Sequence, residues 1–187
     1  MAGEFGFTSW LAAGMTNLKI AEGLGGDPDA IATIEYCLGA WRGAGASSNL
    51  TQFGLGLALA YRAVGRTTDA LTTIDQALQD AADTEELYLA PELHRVRGEL
   101  LTELRPDDDA GRAALDRALA AAADSGSRAL ELRVLLSIER RRPEGRNGAR
   151  GAVVEIDRLL RRLDPASSDP EPLLADARAV VQRGAPR

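Results

Sequence analysis

The sequence predicts an all-α fold: a right-handed α-solenoid of about four antiparallel helix pairs, followed by a C-terminal capping helix. Three observations carry that expectation. Helix formers such as Ala, Leu and Arg are abundant, whereas aromatic residues make up 4% of the chain, which leaves little material for strands. One apolar stripe recurs four times at a nearly constant interval. Turn residues separate each stripe from the apolar-periodic segment beside it.

The stripe reads Ala30, Ile34, Cys37, Leu38, then Ala70, Ile74, Ala77, Leu78, then Gly111, Leu115, Ala118, Leu119, and finally Ala152, Ile156, Leu159, Leu160. Its first members are separated by 40, 41 and 41 residues. Spacing of i, i+4, i+7 and i+8 places four side chains on one face of a helix, and a fixed period of this length marks a repeat array.

The first pair is expected at Thr8 to Leu24 and Asp29 to Arg42. Between them, Asp27 offers a side-chain acceptor and Pro28 a residue that needs no amide partner, which is a helix start. The loop Gly43 to Ser48 leads to the second pair, Asn49 to Val64 and Thr68 to Ala82, with Gly65 at the turn. The third runs from Leu87 to Leu104 and from Ala110 to Ala123, around the turn Pro106 to Asp109. After Asp124 to Gly126 comes the fourth, Ser127 to Arg140 and Gly148 to Leu163. Beyond the loop Asp164 to Asp169, the Asp169-Pro170 start signal repeats. The last helix, Pro170 to Gln182, places Leu173, Leu174, Ala177, Val180 and Val181 on one side, as a cap would. The whole chain reads as one repeat domain, with repeats at about 8–42, 49–82, 87–123 and 127–163. A hairpin of two short helices cannot bury its own stripe, so stacking of pairs is what stabilises each of them. Each fully buried Leu or Ile contributes roughly 1.5–3 kcal/mol, so packing alone accounts for the stripe positions.

Composition narrows the function classes. Of 187 residues, the first hundred carry 13 acidic and 6 basic side chains and the remainder 15 and 16, for a net charge of −6. An acidic chain repels phosphate backbones at long range, which disfavours nucleic acid as a partner. No apolar run reaches the roughly 18 residues that span a bilayer, and the first residues lack a secretory layout, so a cytoplasmic chain with no membrane partner is expected. Cys37 is the only cysteine and sits at a stripe position, as a small buried apolar residue. His94 is the only histidine, so neither a histidine pair for a metal nor a relay exists in one chain; it reads as a surface or groove residue. Asp107, Asp108 and Asp109 do not converge as calcium ligands do and read as a solvated turn. Lys19 is the only lysine, and no phosphate-binding glycine motif accompanies it. No catalytic, cofactor or metal residue is therefore expected, and no enzymatic reaction.

At residues 51–82 the positions of Leu57, Ala58, Tyr61, Gly65, Ala70, Ile74, Ala77 and Leu78 resemble the signature of a tetratricopeptide repeat. The third repeat departs from it by one extra residue in its turn, and the fourth by Glu139 near a small-residue position. Over nearly its full length the chain is similar to the helical-repeat region at the C-terminal end of large bacterial signalling ATPases, which occur joined to adenylate cyclase-type or LuxR-type DNA-binding domains. That resemblance rests on Glu4-Phe5-Gly6-Phe7 running into Trp10-Leu11-Ala12, on Leu38-Gly39-Ala40-Trp41-Arg42 before Gly43 and Gly45, and on the stretch from Glu92 to Leu101. Arg117-Ala118-Leu119, followed by Ser127 to Arg133, fits as well. It implies a protein-interaction or regulatory scaffold module, with no catalytic role for these segments. Gly3 to Phe7 resembles the tail of a preceding repeat, so Phe7, Trp10 and Leu11 are expected to be covered by a second copy of the chain or to fray.

In repeats of this type the first helix of each pair lines an inner groove that holds a protein or peptide segment. The residues expected there are Lys19 and Glu22 from the first pair and Gln52, Leu55, Leu59 and Arg62 from the second. Glu92, Arg95, Glu99 and Thr102 follow from the third, and Arg133 and Arg140 from the fourth. The alternative is nucleic-acid binding by the cluster Arg140, Arg141, Arg142, Arg146, Arg150, Arg158, Arg161 and Arg162. Asp157 stands four residues before Arg161, Glu139 and Glu144 flank the run, and no aromatic interleaves it, so a solvated and partly paired face is the expectation.

Overall fold

Short, locally encoded helices build the molecule. The computed structural model describes residues 2–46, 48–141, 150–162 and 171–184. Among them are nine α helices and no strand: α1 (Ala2–Leu24), α2 (Pro28–Gly43), α3 (Leu50–Ala63), α4 (Thr67–Thr84), α5 (Ala90–Leu104), α6 (Ala110–Asp124), α7 (Arg128–Arg140), α8 (Arg150–Arg162) and α9 (Glu171–Gly184). None is long and apolar enough to cross a membrane among the described residues. The all-α expectation is met, with two boundary changes larger than a residue or two. α1 begins at Ala2 rather than Thr8, and residues 87–89 form a separate 3-10 turn instead of the first turn of α5. Pro91 explains the second change, because its ring opposes a helical carbonyl four residues back, at Leu87. Segments 163–170 and 142–149 lie outside the described residues, and with them the Asp164 to Asp169 loop, the Asp169-Pro170 start and the first two residues expected in the eighth helix.

The expected punctuation is in place elsewhere. Asp27 accepts a hydrogen bond from the Asp29 amide at 2.9 Å, with Pro28 opening α2. Gly65 turns the chain at φ +79°, a conformation that a side chain would strain. Asp108 accepts from the Ala110 amide at 3.0 Å at the start of α6.

Helices adjacent in sequence pack against one another throughout, and α1 also packs on α3, α5 on α7, and α7 on α9. One apolar core runs from Ile31 and Ile34 through Phe53 and Ile74 to Leu100, and a second joins Leu132, Leu136, Ile156 and Val180. Between them lies a smaller cluster of Leu115, Ala118, Val134 and Ile138. The stripes supply much of this material: Ala30, Ile34, Ala70, Ile74, Ala77, Ala118 and Ile156 are all 0% exposed. Cys37 departs from expectation, being half-buried, because α2 turns Leu38 rather than Cys37 into the core. α5 and α6 approach so closely that a Cβ on Gly98 would meet the Gly111 carbonyl oxygen at 2.9 Å, and one on Gly111 the Thr102 hydroxyl at 2.3 Å. Thr102 therefore belongs to the α5–α6 contact and not to the groove. Its hydroxyl donates to the Gly98 carbonyl at 2.8 Å.

Candidate interaction surface

Side chains from the first helices of successive pairs meet in one charged network, and its members come from elements held in place by the apolar cores. Arg62 projects from α3, Glu92, Arg95, Glu99 and Glu103 from α5, and Arg133 and Ser137 from α7, with Arg141 just beyond its end. At the centre, Glu99 has a side chain only 7% exposed. It accepts from Arg62 at 2.6 Å, Arg95 at 2.7 Å and the Ser137 hydroxyl at 2.7 Å, with Arg141 at 3.2 Å. Arg95 also donates to both carboxylate oxygens of Glu92, at 2.9 and 2.7 Å. Arg62 and Arg141 both reach Glu103. Burial alone would raise the Glu99 pKa, but Arg95, Ser137, Arg141 and Arg62 outweigh it and hold that carboxyl below its ordinary range. A buried carboxylate matched by this many donors is stable in place and hard to replace.

At one end of the network a cleft of about 340 Å³ opens between α5, α7 and α9. Arg95, Arg133 and Arg140 line it together with Ser137, Asp176, Leu136, Leu173 and Pro172. Arg140 donates to Asp176 at 2.5 Å, whereas Arg133 makes one long contact, 3.4 Å, to Glu92. Their side chains are 56% and 44% exposed, so most of their donors face solvent. Network and cleft together hold five arginines (62, 95, 133, 140 and 141) against four carboxylates (92, 99, 103 and 176), an excess of one positive charge on a chain of net charge −6.

Of the twelve residues expected in the groove, Arg62, Glu92, Arg95, Glu99, Arg133 and Arg140 come together in this network and cleft. The others stand apart. Lys19 pairs with Glu22 at 2.7 Å on α1, and Gln52 donates to Asn17 at 3.1 Å across α1 and α3. Leu55 and Leu59 are half-buried against the larger core, on the same stripe of α3 as Gln52 and Arg62. Sequence reasoning missed Glu103, Ser137 and Asp176, and it placed Arg141 in the fourth-repeat arginine cluster rather than in this network. At 100° per residue, Thr102 and Glu103 lie roughly 50° to either side of the mean direction of Glu92, Arg95 and Glu99, so the wheel alone does not choose between them. Ser137 and Arg141 follow Arg133 by four and eight positions on the same stripe.

The arginines of the fourth repeat are largely engaged. Arg161 pairs with Asp157 at 2.8 Å, Arg158 with Glu155 at 3.2 Å, Arg141 with Glu103 at 2.9 Å, and Arg128 donates to the Arg162 carbonyl at 2.9 Å. Arg142 and Arg146 lie outside the described residues, as does the side chain of Arg150. No cluster of metal-ligating side chains occurs among the described residues.

No family model, no curated protein and no solved structure matches this chain. The surface must be read from its own chemistry.

His94 sits on a different side of α5, half-buried, and its Nδ1 has no hydrogen-bond partner. Burial, then Arg117 and Arg97, lower its pKa from the ordinary 6.5. A histidine with a depressed folded pKa contributes stability above the unfolded pKa, and that contribution is lost as pH falls through the folded value. Urea unfolding midpoints measured between pH 7 and pH 5 are therefore expected to fall with acidity, and His94→Gln to flatten that slope. An unchanged slope in the variant would assign the acid sensitivity to other groups.

Proposed function

We propose that the chain is a protein-interaction module: a right-handed, tetratricopeptide-like α-solenoid whose first-helix face binds a peptide or partner domain, serving a regulatory scaffold rather than catalysing a reaction. The observation that carries this reading is the continuity of that face. Side-chain bonds tie α1 to α3, α3 to α5, α5 to α7 and α7 to the last helix, α9, at about one repeat period: Gln52 to Asn17, 35 residues apart, Arg62 to Glu99, 37 apart, Arg95 to Ser137, 42 apart, and Arg140 to Asp176, 36 apart. A surface so braced is pre-organised, which lowers the ordering cost of binding. A cytoplasmic setting and a place beside signalling ATPase, cyclase or DNA-binding modules follow from the resemblance and belong to the same proposal. Selection of displayed random dodecapeptides on the immobilised chain is expected to enrich binders whose affinity falls on Leu59→Glu or Arg133→Ser. Failure to enrich any peptide above an unrelated helical protein would refute the reading.

Nucleic-acid binding by the fourth repeat is the weaker reading, because Arg141, Arg158 and Arg161 already hold carboxylates. Aromatic platforms are also missing from that run.

Self-association through α1 completes the proposal. Leu11, Met15 and Leu18 are 55%, 57% and 60% exposed along one stripe that also carries Gly14 and ends at Glu22, which is paired with Lys19. A small residue between large apolar ones suits a second copy of the same helix, since the two can interdigitate at close range. The side chains of Phe7 and Trp10 lie outside the described ones. Light scattering over a concentration series is expected to show a dimer that dissociates in Leu11→Ser with Leu18→Ser. A chain that stays monomeric throughout would remove this element.

A further inference from the structure

We infer that the cleft between α5, α7 and α9 reads an acidic side chain of the partner, seating an Asp or Glu carboxylate between Arg133 and Arg140 and a neighbouring aliphatic side chain against Pro172 and Leu173. This inference rests on the interaction-module reading. Three observations support it.

Charge is the first. Arg95, at 13% side-chain exposure, has its donors committed to Glu92, Glu99 and Ser137, so it forms a fixed floor. Arg133 and Arg140 keep most of their donors, and a guanidinium fork suits a carboxylate in two-bond geometry. The second is an occupant already present: Asp176 of α9 meets Arg140 at 2.5 Å, three residues after Leu173, which lines the same cleft. That helix displays, within the chain, the chemistry the cleft accepts: a carboxylate beside an aliphatic side chain. The third is size. About 340 Å³ admits a few side chains and falls within the range of specific ligand sites. Asp176 thereby acts as an internal competitor, and an incoming carboxylate draws Arg140 away from it.

The probe is an N-acetylated, C-terminally amidated dodecapeptide that repeats Leu-Asp-Glu-Leu, followed by fluorescence anisotropy. Its controls are the Asn/Gln counterpart, amidated, and that same counterpart with a free C-terminus. Binding of the acidic peptide alone is expected, weakening as salt rises from about 0.05 to about 0.5 M. Arg133→Ser and Arg140→Ser should each weaken it by about tenfold, and Asp176→Asn should tighten it several-fold. All three side chains are exposed, and unfolding midpoints of the variants identify any that have lost the fold. Equal binding by wild type and both Arg variants would overturn the inference. So would binding of the free-terminus control alone, which would make the cleft a reader of chain ends. If display-selected peptides bind but respond to Leu59→Glu and not to Arg133→Ser, the module reading stands and this inference falls. If no peptide of either kind binds, the module reading itself is wrong.

Discussion

Replacing Glu99 by Ala is expected to destabilise the fold by about 3–5 kcal/mol, the range for removing one partner from a buried ion pair. For a domain of this size, each kcal/mol lowers the thermal midpoint by about 2–4 °C, so a shift on the order of ten degrees should appear in a melt. The magnitude follows from what remains behind. Arg95 keeps Glu92, but its Nη1 loses Glu99, and the Ser137 hydroxyl, on a residue 1% exposed, loses its inter-helix acceptor. Arg62 keeps only Glu103. Glu99→Gln preserves the shape and part of the hydrogen bonding, so its loss should be smaller. The pH dependence supplies an independent check. Glu99 has a folded pKa below its ordinary 4.5, so its contribution is present above that value and is lost as pH falls through the folded pKa. Glu99→Gln should lack this acid loss while keeping the one from His94. A destabilisation under about 1 kcal/mol in Glu99→Ala would show that the network behaves like exposed ion pairs.

Phe53→Ala should cost a similar amount, about 3–5 kcal/mol, through a cavity in the larger core. Phe53 is 1% exposed and meets Trp41 edge-to-face, with ring centroids 5.6 Å apart at 87°. Trp41 is in turn anchored by its indole nitrogen, which donates to the Ser48 carbonyl at 2.7 Å. Loss of the phenyl ring removes the partner of one of the two tryptophans in the chain, so emission should shift along with stability. Denaturant unfolding followed by fluorescence reads both effects. Phe53→Leu, which refills much of the volume, should recover most of the loss, and a Phe53→Ala variant as stable as wild type would mean that the α2–α3 core collapses around the gap.

These two residues also mark how far the chain could be read in one dimension. Helix existence and most boundaries were legible, because they depend on signals within a few residues of one another. The spacing of Ala70, Ile74 and Ala77, the Asp27-Pro28 start and the Gly65 turn act locally, and each appears where it was expected. Local ion pairs were legible for the same reason, as with Asp157 and Arg161. Cys37 and Leu38 were harder to separate, since neighbours on one stripe differ only in how the helix is rotated against its partners.

Partners across helices belong to another category. Ser137 shares the stripe of Arg133, but nothing in that spacing says that it is buried and joins α7 to Glu99 of α5, which it does because two helices one period apart are pressed together by cores that neither contains alone. Thr102 and Glu103 exchanged places for a related reason. The repeat period says that a groove stripe exists, but only the approach of α6, allowed by Gly98 and Gly111, determines which edge of that stripe is covered. Periodicity and turn chemistry thus account for the helices and the turns between them. Which arginines are committed and which still offer donors is a tertiary outcome, since a charged side chain takes its partner from whatever the packing of apolar faces brings within about 3 Å.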